Sequence, residues 1–303
     1  RWIDQAASID EKLVVITPAM REGSGLVEFE KKYPERYFDV GIAEQHAITL
    51  AGGMTCGGLK PIIAIYSTFL QRAYDQLIHD IVVQDLNILL AIDRAGIVGA
   101  DGETHQGIYD ISFLRILPKI VLMTPSNELE MWKMLSTGFK HDGLAAVRYP
   151  RGYSQGQDIN LDHSTIEIGK AKIVQKGNKI AYLVFGTLLN VVKKVAKKNG
   201  ATVVDMRFVK PLDEKMIIDI SNTHDYIFTV EDNVILGGAG TAVNEVMVKY
   251  SLKNNLITIG VPDKIIPHGS QEEILSELGL DQLGIEKTTN DHVHNMVEMT
   301  NKK

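Results

Sequence analysis

Short, unbroken apolar runs restrict this chain most. Leu13–Thr17 (LVVIT), Pro61–Tyr66 (PIIAIY), Ile88–Asp93 (ILLAID), Val121–Pro125 (VLMTP) and Ala145–Tyr149 (AAVRY) do not alternate apolar with polar residues. A strand with one wet face alternates; a strand covered on both faces does not. Helical patterns over 42–57, 68–84, 108–116 and 126–140 separate the runs, the last opened by Thr124-Pro125-Ser126-Asn127-Glu128. Such alternation with short connections predicts an α/β fold with a mainly parallel sheet between two helical layers. Pro150–Ser164 (PRGYSQGQDINLDHS) has no apolar period and reads as a linker. A second α/β pattern follows. Ile180–Phe185, Thr202–Met206, Ile227–Val230 and Leu256–Ile259 are strands, with helices over 187–199, 213–221, 239–251, 271–278 and the polar C-terminal end. Two α/β domains with few contacts between them are expected.

Composition narrows the function classes. With 303 residues, 45% of them apolar and 23% charged, the chain has a two-domain length and the balance of a folded soluble protein. No apolar run reaches the ~18 residues of a membrane span, and RWIDQAASIDEK has no signal-peptide core. No membrane attachment is expected. Cys56, the single cysteine, excludes an intramolecular disulfide framework, fits a reducing, cytoplasmic setting and is expected to be a small buried apolar group. A net charge of −6 argues against a nucleic-acid partner. Eight of the nine arginines lie before residue 161, whereas sixteen of the lysines follow it. Arginine's planar fork suits phosphate and carboxylate, so an anionic ligand is sought in the first half.

Four segments there end strands or open helices, where open α/β sheets bind ligands. In Asp39-Val40-Gly41-Ile42-Ala43-Glu44-Gln45-His46, Glu44 is either an ordinary first-turn acid favoured by the helix dipole or a partly buried carboxyl that exchanges a proton with a heterocycle nitrogen. Tyr66–Gln76 places Tyr66, Phe69 and Arg72 at a strand end and helix start, although alone Phe69 reads as core and Arg72 as surface charge. The segment Asp93–Gly107 gathers Arg94, three acids including Asp101, and His105 among four glycines. Arg148-Tyr149-Pro150-Arg151 closes the fifth strand. In a parallel sheet these ends converge, giving Arg72, Arg94 and Arg151 a common anion-binding cleft. Glu231-Asp232-Asn233 has the makings of a cap or a domain dock, Gly237-Gly238-Ala239-Gly240 reads as tight packing at a helix start, and His292 with His294 is too few ligands for a metal.

ITPAMREGSG (16–25), YFDVGIAEQH (37–46), IAIYSTFLQRAYDQ (63–76), AIDRAGIVGADGETHQG (91–107) and AVRYPRG (146–152) together resemble the 1-deoxy-D-xylulose-5-phosphate synthases, thiamine-diphosphate enzymes of the transketolase superfamily. DMRFVKPLD, VEDNVILGGAGTAVNEV and QEEILSELGLD carry the likeness through the second half. The resemblance implies a transketolase pyrimidine-binding domain over 1–155, a linker over 156–165 and a transketolase C-terminal domain over 166–303, the last mainly structural. That family has a further, amino-terminal domain whose Gly-Asp-Gly signature holds Mg²⁺ and the cofactor's diphosphate. No such triplet occurs here, so this domain is expected in the same or another chain, and the chain by itself is expected to be inactive.

The resemblance also implies roles. Glu44 matches the glutamate that hydrogen-bonds the aminopyrimidine N1′ and favours the imino tautomer that deprotonates the thiazolium. Phe69 matches the aromatic stacked on the pyrimidine, with Ile42 beside the cofactor. Tyr66, Arg72, Arg94, Asp101 and Arg151 match positions around the acceptor, the arginines suiting the phosphate of D-glyceraldehyde 3-phosphate. His105 matches a residue beside the acceptor, as acid–base catalyst or simple contact. Pyruvate would lose CO₂ and its remaining two carbons would join the aldehyde, giving 1-deoxy-D-xylulose 5-phosphate in a homodimeric enzyme. A rival resemblance is the beta subunit of a 2-oxo-acid dehydrogenase decarboxylase. A non-catalytic assembly module is a third reading, opposed by the presence of Glu44 and Phe69.

Overall fold

The computed structural model describes residues 1–152 and 162–301, with side chains described through His294. The expected linker 156–165 therefore lies outside the described residues over 156–161. Twelve strands are described: β1 (Leu13–Thr17), β2 (Tyr37–Asp39), β3 (Lys60–Tyr66), β4 (Leu89–Asp93), β5 (Val121–Met123), β6 (Ala145–Arg148), β7 (Lys172–Gln175), β8 (Lys179–Val184), β9 (Thr202–Asp205), β10 (Phe208–Lys210), β11 (His224–Val234) and β12 (Asn255–Val261). They form a seven-stranded sheet ordered β10-β5-β6-β4-β3-β1-β2 and a five-stranded sheet ordered β12-β11-β8-β9-β7. Every pairing is parallel except β10 on β5 and β7 on β9.

The unbroken apolar runs have the expected cause. In β3, Ile63 and Ile65 face one core while Ile62 and Ala64 face another, built on Trp2, Leu13, Phe29 and Trp132. The core that takes Ile63 and Ile65 continues into the second half, where Leu183, Phe185, Val204 and Met206 belong to it. A third cluster, around Tyr182, Val192, Phe228 and Ile285, covers the far face of the smaller sheet. The molecule is thus layered helix–sheet–helix twice over, with the middle apolar layer shared.

That sharing corrects the expectation of two domains with few mutual contacts. β10 belongs by sequence to the second half but completes the first half's sheet, pairing Phe208 with Met123. Ser126 Oγ donates to Asp205 Oδ2 at 2.6 Å, and Arg207 Nη2 donates to Glu130 at 2.7 Å. Cys56 is also corrected: it is exposed, because the buried face of its helix (Glu44–Cys56) is taken by Ala47, Ile48, Ala51 and Gly52. The helix expected over 68–84 is a succession of short helical turns, Ser67–Leu70, Gln71–Ala73 and Tyr74–Gln76, ending in the π-helical turn Leu77–Val82. Irregular windings of this kind concentrate at functional sites.

Candidate active site

Glu44 opens the helix Glu44–Cys56, and the loop before it is shaped by Asp39, whose Oδ1 accepts from Ala19 N at 3.0 Å and Gly41 N at 2.9 Å. Gly41 turns the chain at φ +68°, a conformation open to glycine. Glu44 is thereby carried into the interior with its side chain 3% exposed, and Arg72 Nη1 donates to its Oε1 at 2.7 Å. Burial of a carboxylate is costly without such a partner. The same guanidinium lies 5.0 Å from the centre of the Phe69 ring.

Phe69 is the hub of an aromatic group. Its ring stacks on Tyr66 with centroids 5.5 Å apart and planes 7° apart, and it meets the edge of His105 at 5.3 Å. The Arg94 guanidinium covers the Tyr66 ring at 4.0 Å. Arg94 follows β4 in a left-handed conformation, φ +54°, uncommon for a side chain of its size. Asp93 accounts for it: its Oδ1 accepts from Arg94 N at 2.7 Å, and its Oδ2 accepts from Arg94 Nη1 at 2.5 Å. Burial pushes the Asp93 carboxyl above the usual carboxylate range, while Arg94 pulls it back. Arg94 also donates to Gly23 O at 3.1 Å. Asp101 approaches Arg94 Nε at 4.0 Å and forms an ion pair with Arg151.

The structure therefore joins eight sequence-predicted residues into one contiguous chain of contacts: Glu44, Arg72, Phe69, His105, Tyr66, Arg94, Asp101 and Arg151. Ile42 stands apart, 81% exposed on the loop before Glu44. The expected common arginine cleft is divided. Arg94 and Arg151 line a cavity of about 460 Å³ between the two halves, walled opposite by Ser126, Asn127, Thr187 and Asn190. Arg72 lies beyond the Tyr66–Phe69 stack with Glu44, outside that cavity's lining. Each arginine also has a carboxylate partner, so an incoming anion would use the further N–H donors of a guanidinium that carries five.

Residues not singled out by the sequence reading complete the site. Asp93 sets the pose of Arg94. Tyr149 is half-buried and lines the cavity, its hydroxyl pushed up by desolvation, and the Gly23 backbone crosses Tyr66 so closely that a Cβ there would fall 2.0 Å from the phenol oxygen. Asp93 ends a strand at the ligand-binding edge, which was the available signal; Gly23 had none. Among the described residues, no group of three or more His, Cys, Asp or Glu side chains is placed to hold a metal ion, and no helix is long and apolar enough to cross a membrane.

The family description "Transketolase, pyrimidine binding domain" matches residues 1–155, just over half of the sequence. The chain belongs to the transketolase family. "Transketolase, C-terminal domain" matches residues 169–285. The 1-deoxy-D-xylulose-5-phosphate synthases of Vibrio campbellii and Escherichia coli are each 56% identical, over 96% and 94% of this chain and 46% of their own length. The chain thus spans about half the length of the curated relatives it matches. Among solved structures, a split-gene transketolase described as an inactive beta4 tetramer superposes with a TM-score of 0.83 at 23% identity, covering 96% of this chain and 95% of its own. The transketolase of Campylobacter jejuni gives 0.75 at 16% identity, over 95% of this chain and 45% of its own. These two speak for the transketolase fold, and the helix–sheet–helix architecture of each half described above is that fold.

Proposed function

We propose that this chain carries the aminopyrimidine side and the acceptor side of a 1-deoxy-D-xylulose-5-phosphate synthase active site. The observation that carries the reading is the unbroken path from the buried Glu44 to the cavity arginines, by way of Arg72, Phe69, Tyr66 and Arg94. A buried carboxyl beside a half-buried aromatic ring suits a flat heterocycle whose ring nitrogen shares a proton with it, so these residues fit the aminopyrimidine of thiamine diphosphate. When bound, that cofactor would supply a nucleophilic carbon to add to the keto carbon of pyruvate and an electron sink that lets CO₂ leave from that pyruvate carbon.

The protein's own tasks follow from the geometry. Glu44 hydrogen-bonds a pyrimidine ring nitrogen, and Arg72 aims its carboxyl group. Phe69 offers its ring to the heterocycle. Arg94 and Arg151 take the phosphate of D-glyceraldehyde 3-phosphate, each charge-assisted bond contributing on the order of 1.5–3 kcal/mol. Asp101 holds Arg151 in place, and His105 stands to pass a proton to the aldehyde oxygen as the carbon–carbon bond forms. Mg²⁺ and the diphosphate fall to the family's amino-terminal domain, in the same or another chain. A cytoplasmic homodimer, with residues 1–155 and 166–303 as its two domains here, is the assembly this reading implies.

The experiment joins the chain to its diphosphate-binding domain and supplies pyruvate with D-glyceraldehyde 3-phosphate, thiamine diphosphate and Mg²⁺. The expected result is 1-deoxy-D-xylulose 5-phosphate, with none formed by the chain alone. Acetyl transfer to a lipoyl group with no sugar phosphate would replace this reading by the decarboxylase-subunit one.

A further inference from the structure

The loop between Asp93 and Gly107, which carries Arg94, Asp101 and His105, is gripped by the second half of the chain at two places. At its base, Arg148 donates from Nε to Asp110 at 2.8 Å, from Nη1 to Asp232 at 2.5 Å and from Nη2 to Gly107 O at 3.3 Å. Gly96 and Gly107 close the loop with paired backbone hydrogen bonds of 2.6 and 2.9 Å. A Cβ on Gly96 would fall 2.3 Å from Asp232 Oδ2, so the loop's backbone lies directly on the second half's carboxylate.

Just above that base, on the first limb, Gln271 Nε2 donates to Ile97 O at 2.7 Å. A Cβ on Gly99 would fall 2.5 Å from Gln271 N, and the nearest heavy atom to one on Gly102 would be His268 Cδ2, at 3.7 Å. Gln271 is itself fixed as the first residue of the helix Gln271–Glu277, whose start is closed by a reciprocal capping box between Ser270 and Glu273. Within the loop, Gln106 Oε1 accepts from Val98 N at 3.0 Å and ties the two limbs together. The three-residue turn Gly99–Asp101 that presents Asp101 to Arg151 thus begins two residues after the carbonyl that Gln271 holds.

We propose that Gln271 is a positioning residue for the acceptor: its amide holds the loop's first limb at Ile97, one residue above the closed base, so that Asp101 and His105 keep their places relative to Arg151 and Phe69. This rests on the acceptor-site reading above. It gives the C-terminal domain a part in substrate recognition in addition to packing. The hydrogen bond needs a donor at Nε2, so a carboxylate of the same length fails as fully as a methyl group.

The test uses the complete enzyme, with its diphosphate-binding domain, and the variants Gln271→Ala and Gln271→Glu, with Glu272→Ala at the exposed neighbouring position as control. Both Gln271 variants are expected to raise the KM for D-glyceraldehyde 3-phosphate about tenfold, the size of one lost hydrogen bond of this kind. The KM for pyruvate and the melting temperature stay close to the parent's. Amide hydrogen exchange in residues 97–106, measured without substrate, accelerates about tenfold in both and is unchanged in the control. Product formation with unchanged exchange and unchanged KM overturns this proposal alone. A joint fall of kcat and melting temperature with both KM values moving together also overturns it, as a structural brace. No product from the unsubstituted enzyme overturns the site reading and this proposal with it.

Discussion

Two buried glutamates, each associated with the start of a helix, show how the two halves differ. Glu231, in β11, accepts from Ala239 N and Gly240 N at 2.8 Å each, so both its oxygens are spent on the helix that follows. Glycine is needed on that helix start because a Cβ on Gly238 would meet Glu231 and one on Gly240 would meet Thr229 and Thr258. Burial pushes the Glu231 carboxyl up to about 8. Glu44 is buried as deeply, but its recorded partner is a side chain, Arg72, that is itself half exposed. One carboxyl is consumed by the backbone and does structural work. The other is held by a half-exposed side chain. Burial of an acid alone does not separate the two; the nature of its partner does.

Exchanging each acid for its amide probes that contrast most sharply. In the complete enzyme, Glu44→Gln is expected to lower kcat about a thousandfold while the melting temperature holds, with C2 proton exchange of the cofactor followed by NMR as the direct readout. Glu231→Gln is expected to do the reverse, lowering stability by about 1–3 kcal/mol in urea with kcat nearly unchanged. Retained C2 exchange in the first variant, or lost exchange in a folded second one, would break the comparison.

The next effect concerns the seam between the halves. Arg148, Asp110 and Asp232 are all buried, and removing the arginine leaves two uncompensated carboxylates. Arg148→Met is expected to cost about 3–5 kcal/mol and to split one cooperative thermal transition into two, which calorimetry would reveal. A single transition at the parent temperature would mean that the halves are joined elsewhere.

The smallest effect is a pH dependence seated in the second half. Desolvation raises the Asp205 carboxyl from its ordinary 3.8 to about 6, against the hydrogen bond from Ser126. Between those values the folded chain holds a proton that the unfolded chain has released, so this group's contribution falls as pH rises from about 4 to 6. Asp205→Asn can still accept from Arg207 N and donate to Ser126, and it is expected to stabilise the protein by about 1 kcal/mol at pH 8 and by nothing at pH 4. Denaturant melts at the two pH values check it; an equal effect at both would refute the assignment.

Much of this was legible in the sequence where the cause is local. Doubly buried strands betray themselves by unbroken apolar runs, and seven helices fall close to their expected ranges, three of them opened by a side-chain cap at Asn127, Asp213 or Ser270. Tyr66, Phe69 and Arg94 were readable as strand-end residues. β2 and β7 escaped because they are short, incompletely buried edge strands, and β10 because its partner β5 lies some 85 residues earlier. Arg148 illustrates the limit best. Beside Arg151 it read as one of two similar strand-end charges, yet its partners sit 38 residues before and 84 residues after it, a separation no local pattern encodes.

β10 carries a consequence for how the protein is made. The edge of β5 is covered by Phe208–Lys210, which antiparallel pairing brings back across the seam. A chain emerging from the ribosome therefore cannot finish its first sheet until residue 210 has appeared, and until then β5 offers unpaired backbone to any neighbouring strand.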